Sequence, residues 1–512
     1  MLATLAFAGS AAGARDPGSS ARWPSGSAVV SYESERAFAA ALARHPATVV
    51  RRLPALRVAA VRPRGDVGLW AAEIDAEPGI LRVERAAARR SLVEPALASS
   101  PTAAFQWQYA AVHADQVPAG VAQAAAGVTI AVIDTGADLA APDLAAKSLH
   151  AYSVRTRRPE TSDANGHGTF VAALAAGSSS NGDGVAGIAG ESPLLLIQAG
   201  DASGSFTDVD EAAAIVYAVD QGAKVINLSL GGTSTSAVEK RAVDYAVSKG
   251  ALLVAAVGNG YRRGNAVEYP AALLQPVGSK GVGGRGLSVA ASTRDGARAP
   301  FSTVGSHLSL AAPGVDVFSA LSASSSTSRY PRTALPGSVA GVYGYGSGSS
   351  FAAPQVAGAA ALVWAANPLL RAEEVASILE QTATGHGVWS RELGYGVLDV
   401  AAAVAAAQQT PAVPAPAPVA EPATATELRL RGKRSGTRVV LSWKARSDAA
   451  SYRVEVAADG HGTRVLAPAA RRTSATYTLA RGSSYRFTVT ALDAAGNSLA
   501  ASAPWSVKVP RR

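Results

Sequence analysis

The chain is expected to be an α/β protein: a mostly parallel sheet with helices on both faces, preceded by a small α+β unit and followed by an all-β sandwich. Three observations predict this. From residue 128 to 367, continuous apolar runs alternate with helical stretches, the pattern of parallel strands buried on both faces. Ahead of that region, roughly 70 residues mix strand and helix patterns. Behind it, a proline-rich stretch gives way to strand patterns alone.

Residues 1–25 read as a signal-like leader. The first 14 are small and apolar and end in Ala12-Gly13-Ala14, like the apolar core and cleavage end of a secretory signal, though without its basic start. Residues 26–102 form the α+β unit. Val29-Val30-Ser31-Tyr32 predicts a strand, 35–43 a helix, 69–74 (LWAAEI) a strand, and 81–84 a strand after the Pro78-Gly79 break. Residues 103–409 form the central domain. The runs 128–133, 194–198, 225–228 and 252–257 predict strands, 169–176, 208–221 and 238–249 predict helices, and 351–367 is expected as the last helix. Residues 410–424 hold five prolines in 15 positions, a semi-stiff extended linker. In the final domain, 425–512, strands are expected at 439–443, 451–456, 475–479 and 484–491, with clean alternation in Tyr485, Phe487 and Val489.

Composition sets bounds. The 512 residues are 48% hydrophobic and 17% charged, which permits a large core and excludes a wholly disordered chain. Aromatics are only 6%, so alanine and glycine fill much of the interior. With no cysteine, disulfides, thiol chemistry and thiolate metal sites are excluded. No apolar stretch reaches the ~18 residues a membrane span needs. The net charge of +9 is uneven: residues 425–512 carry 16 Lys and Arg against 5 Asp and Glu, a net of +11, which leaves the first 424 residues at −2. Basic character therefore belongs to the tail, against nucleic-acid binding by the whole chain.

Four polar residues stand at turns after apolar runs: Asp134 in Asp134-Thr135-Gly136, His167 in Asn165-Gly166-His167-Gly168-Thr169, Asn259 after Gly258, and Ser350 in Gly348-Ser349-Ser350-Phe351-Ala352-Ala353-Pro354. In open α/β sheets, sites gather at the C-terminal ends of strands, so these residues can converge. Their types suit acyl transfer. A serine hydroxyl needs a base to take its proton. His167 can be that base, Asp134 can hold its tautomer, and Asn259 can donate to an oxyanion. The helix N-terminus at Ser350 adds free N–H groups, and Pro354 is expected within the first turn, where its missing N–H is harmless. An aspartic peptidase would need a second Asp-Thr-Gly or Asp-Ser-Gly, which the sequence lacks.

With these flanks and in this order, residues 103–405 resemble the subtilisin-like serine peptidases. The resemblance implies a triad of Asp134, His167 and Ser350 in one hydrogen-bonded line, with Asn259 as oxyanion donor. Phe351 stands where the family usually has methionine, and Gln355 where it usually has histidine. The resemblance further implies that Ser229, Leu230 and Gly231 pair with substrate as an added strand, that Gly200 and Gly204 belong to the opposite wall, and that Glu268 lies at the floor of the pocket preceding the scissile bond, tilting it toward Lys or Arg. Asp143, Asn181 and Asp183 lie where family members often hold calcium, which oxygen ligands suit; no cofactor is expected for the chemistry itself. Residues 26–96 resemble the family's inhibitory propeptides, implying a zymogen cut within 96–106, and residues 425–512 resemble fibronectin type III modules. The reading is a secreted endopeptidase, extracellular or at the cell surface, acting on protein or peptide substrates, bound by its own propeptide, and able to approach anionic surfaces or polymers through its basic tail. The competing class is a catalytically inactive surface-binding protein on a peptidase scaffold; the intact Asp134, His167, Ser350 and Asn259 speak against it.

Overall fold

Seven parallel strands form the central sheet, in the order Leu310–Pro313, Gly286–Ser292, Leu252–Ala256, Val225–Leu228, Ile130–Asp134, Leu194–Gln198 and Leu149–Ser153. The computed structural model describes residues 26–92, 105–411 and 428–510, apart from 148, 182–183, 326–329, 334–341, 429, 447, 459–460, 471–472, 493–497 and 503. The expected leader and nearly all of the linker lie outside the described residues.

Alternate side chains of the central strands feed two separate cores. Ile130, Val132, Leu194, Leu196 and Val225 point to the face covered by helices His167–Ala176 and Ser349–Ala366. Ala131, Ile133, Leu195, Ile197, Ile226 and Leu228 point to the face covered by Asp208–Asp220 and Ala237–Ser248. With both faces buried, 130–133, 194–197 and 252–256 read as unbroken apolar runs, as a parallel sheet requires, whereas the edge strand Leu149–Ser153 is polar in part and only partly buried.

Two expectations need correction. Residues 69–74 are part of the helix Val67–Asp75, not a strand. The Asp66 carboxylate caps it, accepting from Leu69 N at 2.8 Å, and Trp70, Ala71 and Ile74 are buried at helical spacing while Leu69 is exposed. A short apolar run looks alike in either state, and the cap decides it. Nor is 351–367 the last helix of its domain: Ala372–Thr382 and Val400–Gln409 follow Ser349–Ala366.

The N-terminal unit is a four-stranded antiparallel sheet, ordered Ala47–Leu53, Val58–Pro63, Ala28–Tyr32 and Ile80–Arg85. One face packs Ala28, Val30 and Tyr32 against its own helices through Phe38, Trp70 and Ile74. The other packs Val29, Leu53, Val58 and Ala60 into the core beneath Asp208–Asp220 and Ala237–Ser248. Polar pins flank that contact. The Arg51 guanidinium lies 2.8 Å from Asp210, Arg241 donates to Leu56 O at 3.0 Å, and Glu84 accepts from Ala237 N at 2.9 Å, placing a carboxylate on the first turn of a helix.

The described residues 428–510 form a second compact unit. Its strands are all antiparallel: Arg431–Ser435, Arg438–Ser442 and Ser474–Thr478 form one sheet. His461–Ala470, Ser451–Ala458, Ser484–Leu492, Ser498–Ala501 and Trp505–Lys508 form the other. Val439, Leu441, Trp443, Val454, Phe487 and Val489 fill the core between them. Alternation of buried and exposed residues along Arg438–Ser442 matches one solvated face.

One buried carboxyl makes the first unit's stability depend on pH. Burial raises Glu380, on the helix Ala372–Thr382, to about 7, against the pull of a hydrogen bond with Ser309. A carboxyl raised on folding holds its proton more tightly in the folded state. The contribution of Glu380 to stability is therefore full below about pH 4.5 and falls as pH rises toward about 7. Glu380→Gln is expected to remove that loss, roughly 3 kcal/mol, so the variant's thermal midpoint should exceed the parent's at pH 8 and match it at pH 5.

Candidate active site

Asp134 ends the central strand Ile130–Asp134. Its Oδ1 accepts from His167 Nδ1 at 2.6 Å and from Thr135 N at 2.7 Å. His167 opens the helix His167–Ala176, entered through Gly166 at φ +90°, a conformation L side chains rarely adopt. The buried Asp163 holds this corner together. It accepts from Thr135 Oγ1 and Gly166 N through one oxygen, both at 2.8 Å, and from Thr169 N at 2.8 Å and Thr169 Oγ1 at 2.6 Å through the other. The sequence reading did not single out Asp163. Its signal was position, four residues before the histidine in the same turn.

Ser350 is the second residue of the 18-residue helix Ser349–Ala366. Pro354 is its sixth residue rather than a first-turn one, which corrects the expectation. Lacking an N–H, Pro354 leaves the Ser350 carbonyl without its helical donor. Ser229 Oγ supplies one at 2.7 Å, and Asn227 Nδ2 donates to Ser229 Oγ at 2.9 Å. The break in the helix thus ties the Ser350 backbone to the adjacent wall. Asn259 follows the strand Leu252–Ala256. Its Oδ1 accepts from Ser349 N at 2.9 Å, which leaves Nδ2 as the donor facing the cleft.

A strand of the N-terminal region fills that cleft. Residues Ala88–Ser91 run antiparallel to Leu230–Gly231 on one side and to Ser205–Thr207 on the other. Ser91 N donates to Gly204 O at 2.9 Å. Gly200 sits behind this wall, where its N–H meets Asp134 O at 3.0 Å. At the strand's end, Leu92 O accepts from Asn259 Nδ2 at 2.7 Å, and Leu92 N donates to Ser350 Oγ at 3.0 Å. A peptide carbonyl thereby sits on the Asn259 amide, with its own N–H on the Ser350 hydroxyl.

The expected three-residue line is therefore half formed. Asp134 and His167 are joined, but Ser350 Oγ donates to Ser229 O at 2.9 Å, and His167 Nε2 is buried with no hydrogen-bond partner among the described residues. The physical reason lies in the seated strand: with the Leu92 N–H pointing at it, the hydroxyl serves as acceptor there and sends its proton to Ser229 O.

Glu268 is buried beside the same pocket. A Cβ on Gly231 would lie 3.0 Å from Leu92 Cδ1 and 3.1 Å from Glu268 Oε2. Its carboxylate meets the half-exposed Arg90, Nη2 to Oε1 at 3.3 Å, two residues before Leu92, while the residue that enters the pocket is apolar. Asp143 is fully buried and accepts from Val185 N at 2.5 Å, and Asn181 donates to Pro142 O at 3.3 Å. Asp183 lies outside the described residues, and among those described no three His, Asp or Glu side chains converge as a metal site.

Comparison with known proteins identifies the family. The pattern of the Subtilase family matches residues 125–396. The chain is 36% identical over 263 residues to the thermophilic serine proteinase of Bacillus sp. (strain AK1), covering 51% of this chain and 58% of that protein. It is 36% identical over 258 residues to thermitase of Thermoactinomyces vulgaris, covering 50% and 81%. With subtilisin DY of Bacillus licheniformis it shares 36% over 280 residues, 54% and 91%. Among solved structures, fervidolysin from Fervidobacterium pennivorans, a keratinolytic enzyme related to subtilisin, superposes with a TM-score of 0.65 at 23% identity, covering 94% of this chain and 76% of that one. That likeness speaks to fold alone. Together with the matched pattern, the sequence identities settle the assignment: the chain belongs to the subtilase family, the subtilisin-like serine peptidases.

Proposed function

We propose that this chain is a secreted serine endopeptidase, made as a self-inhibited precursor that cuts itself between Leu92 and Val93. One observation carries this reading: the Leu92 carbonyl rests on Asn259 Nδ2 at 2.7 Å while its amide meets Ser350 Oγ. A carbonyl held on that amide, beside the serine hydroxyl, supports a cut at this bond, upstream of the 96–106 window expected from the sequence.

In the reaction, the Ser350 hydroxyl swings from Ser229 O to His167 Nε2. Its oxygen attacks the carbonyl carbon as its proton passes to the imidazole. Asp134 holds the Nδ1–H and stabilises the imidazolium. Asn259 Nδ2 donates to the oxygen as it gains charge. Collapse breaks the C–N bond, His167 hands its proton to the leaving amine, and water then releases the acyl group by the same steps. Ser229, Leu230, Gly231 and Gly204 hold the substrate as an added strand. Gly200 stands behind that wall, and Glu268 serves the residue two before the attacked carbonyl. N-terminal sequencing of the mature form tests the cut: a start at Val93 is expected, and a start within 96–106 would refute the Leu92 site.

Phe351 makes a further expectation. It packs 5.6 Å from the His167 ring and 4.4 Å from Phe170, and the chain's single methionine is Met1. With no thioether beside the nucleophile, activity should survive a peroxide treatment that oxidises exposed methionine; residual hydrolysis after exposure measures it.

A structural calcium held by Asp143, Asn181 and Asp183 belongs to the same proposal. It would tie the helix Pro142–Ala145 to the later segment that carries Asn181 and take no part in chemistry. A chelator should then lower the thermal midpoint; a midpoint that does not move removes the ion from the reading. The final domain, with its net charge of +11 over residues 425–512, would hold the enzyme near anionic polymers or surfaces. For location, the family relation and the leader support export, and among the described residues no helix is long and apolar enough to cross a membrane.

A further inference from the structure

Arg89, three residues before Leu92, sends its side chain away from solvent into the body of the domain. The guanidinium is fully buried. Nε donates to Glu211 Oε2 at 3.1 Å, Nη2 lies 2.6 Å from Glu239 Oε2, and Nη1 donates to Ala88 O at 3.0 Å. Asp208, also buried, faces the same cation. The two glutamates come from the two helices beneath the cleft, Asp208–Asp220 and Ala237–Ser248. Three carboxylates are thus gathered where an extended chain in the cleft must place one side chain.

Such a cluster is unstable without a cation. A buried carboxylate is costly unless paired, and like charges raise the cost. Glu211 Oε1 and Glu239 Oε1 have no hydrogen-bond partner among the described residues even with Arg89 in place. Burial first, then the neighbouring Glu239, pushes the Glu211 carboxyl well above its ordinary range, and Arg89 pulls it back. When the strand leaves after cleavage, the carboxylates remain and the cation departs. The next chain to lie between Leu230–Gly231 and Ser205–Thr207 brings its own residue to this place, because strand register fixes which side chain enters.

We infer that the pocket formed by Asp208, Glu211 and Glu239 is a specificity site that takes an arginine side chain of the substrate, three residues before the residue whose carbonyl is attacked. The inference rests on the proposed peptidase reading and names its substrate class: polypeptides carrying Arg-X-X-Leu, or Arg-X-X followed by another apolar residue. Arginine suits the pocket better than lysine, since a planar fork can meet glutamates from two helices at once while an ammonium offers a single point of charge. Arg90 differs in kind. Half-exposed, it touches Glu268 from the rim, where solvent weakens the pairing.

The test uses active enzyme matured from the full chain and fluorogenic peptides of the form X-Arg-Ser-Leu, with X as Arg, Lys, Ala or Leu. Expected is a kcat/KM for X = Arg on the order of 100-fold above Ala or Leu, with Lys between them. In Glu211→Gln and Glu239→Gln, the ratio of Arg to Leu should fall by roughly 10-fold or more in each. Equal or higher turnover with Leu or Ala at X in the parent enzyme would overturn the inference while leaving the peptidase reading intact. Peptidase failure has a different signature: no peptide is cut and no fluorophosphonate labels the protein. The parent series needs no variant to fold, so it decides the matter alone.

Discussion

Ser350→Ala is expected to abolish labelling by a fluorophosphonate probe, to leave the chain uncut at Leu92, and to lower peptide hydrolysis by on the order of 10⁶, the size of loss known for the nucleophile of a subtilisin. The argument is chemical before it is structural. An alanine methyl can neither attack a carbonyl nor pass a proton to His167, so the covalent route closes entirely. What survives is the oxyanion donor and the added-strand grip, worth a residual acceleration over water. The fold should persist, because among the described residues the lost hydroxyl makes two hydrogen bonds, one from Leu92 N and one to Ser229 O. A thermal midpoint within a few degrees of the parent checks this. Labelling that persists in the variant would place the reactive group elsewhere and end the serine-peptidase reading.

Asn259→Ala should lower kcat by about 10²–10³ with KM little changed, a magnitude that itself comes from a subtilisin's oxyanion asparagine. The loss is expected in kcat because the donor acts most strongly on the charge that develops during attack. Orientation matters as much as presence. Ser349 N donates to Asn259 Oδ1 at 2.9 Å and thereby turns Nδ2 toward the Leu92 carbonyl. Asn259→Asp retains the acceptor for Ser349 N but offers the oxyanion a like charge, so it should be at least as slow as the alanine variant. A raised KM at unchanged kcat would show that Asn259 serves ground-state binding instead.

These expectations draw on different amounts of sequence information. The flanks of Asp134, His167 and Ser350 are short and local, and each sits at the end of an element whose apolar run or small-residue helix is legible. Other features were opaque. The segment 69–74 could have been strand or helix until the Asp66 cap and the buried set Trp70, Ala71 and Ile74 decided it. Asp163 looks like one more polar turn residue, yet it accepts four hydrogen bonds that fix the His167 corner. Pro354 reads as a first-turn proline but in fact frees the Ser350 carbonyl for Ser229, 121 residues before Ser350 in the chain.

From its order of residues alone, this protein declares a parallel sheet, a trio of acid, imidazole and alcohol at strand ends, and a separate antiparallel tail, because apolar periodicity and glycine-rich turns act over a few residues. Only the folded chain decides which peptide bond lies on the Asn259 amide, where the Ser350 proton points, and which carboxylates Arg89 meets. Those depend on residues 89, 211 and 239 meeting in one buried pocket, and on a strand near residue 90 entering a cleft built between residues 204 and 231. Contacts across such separations arise from packing and strand register, which local sequence spacing does not encode.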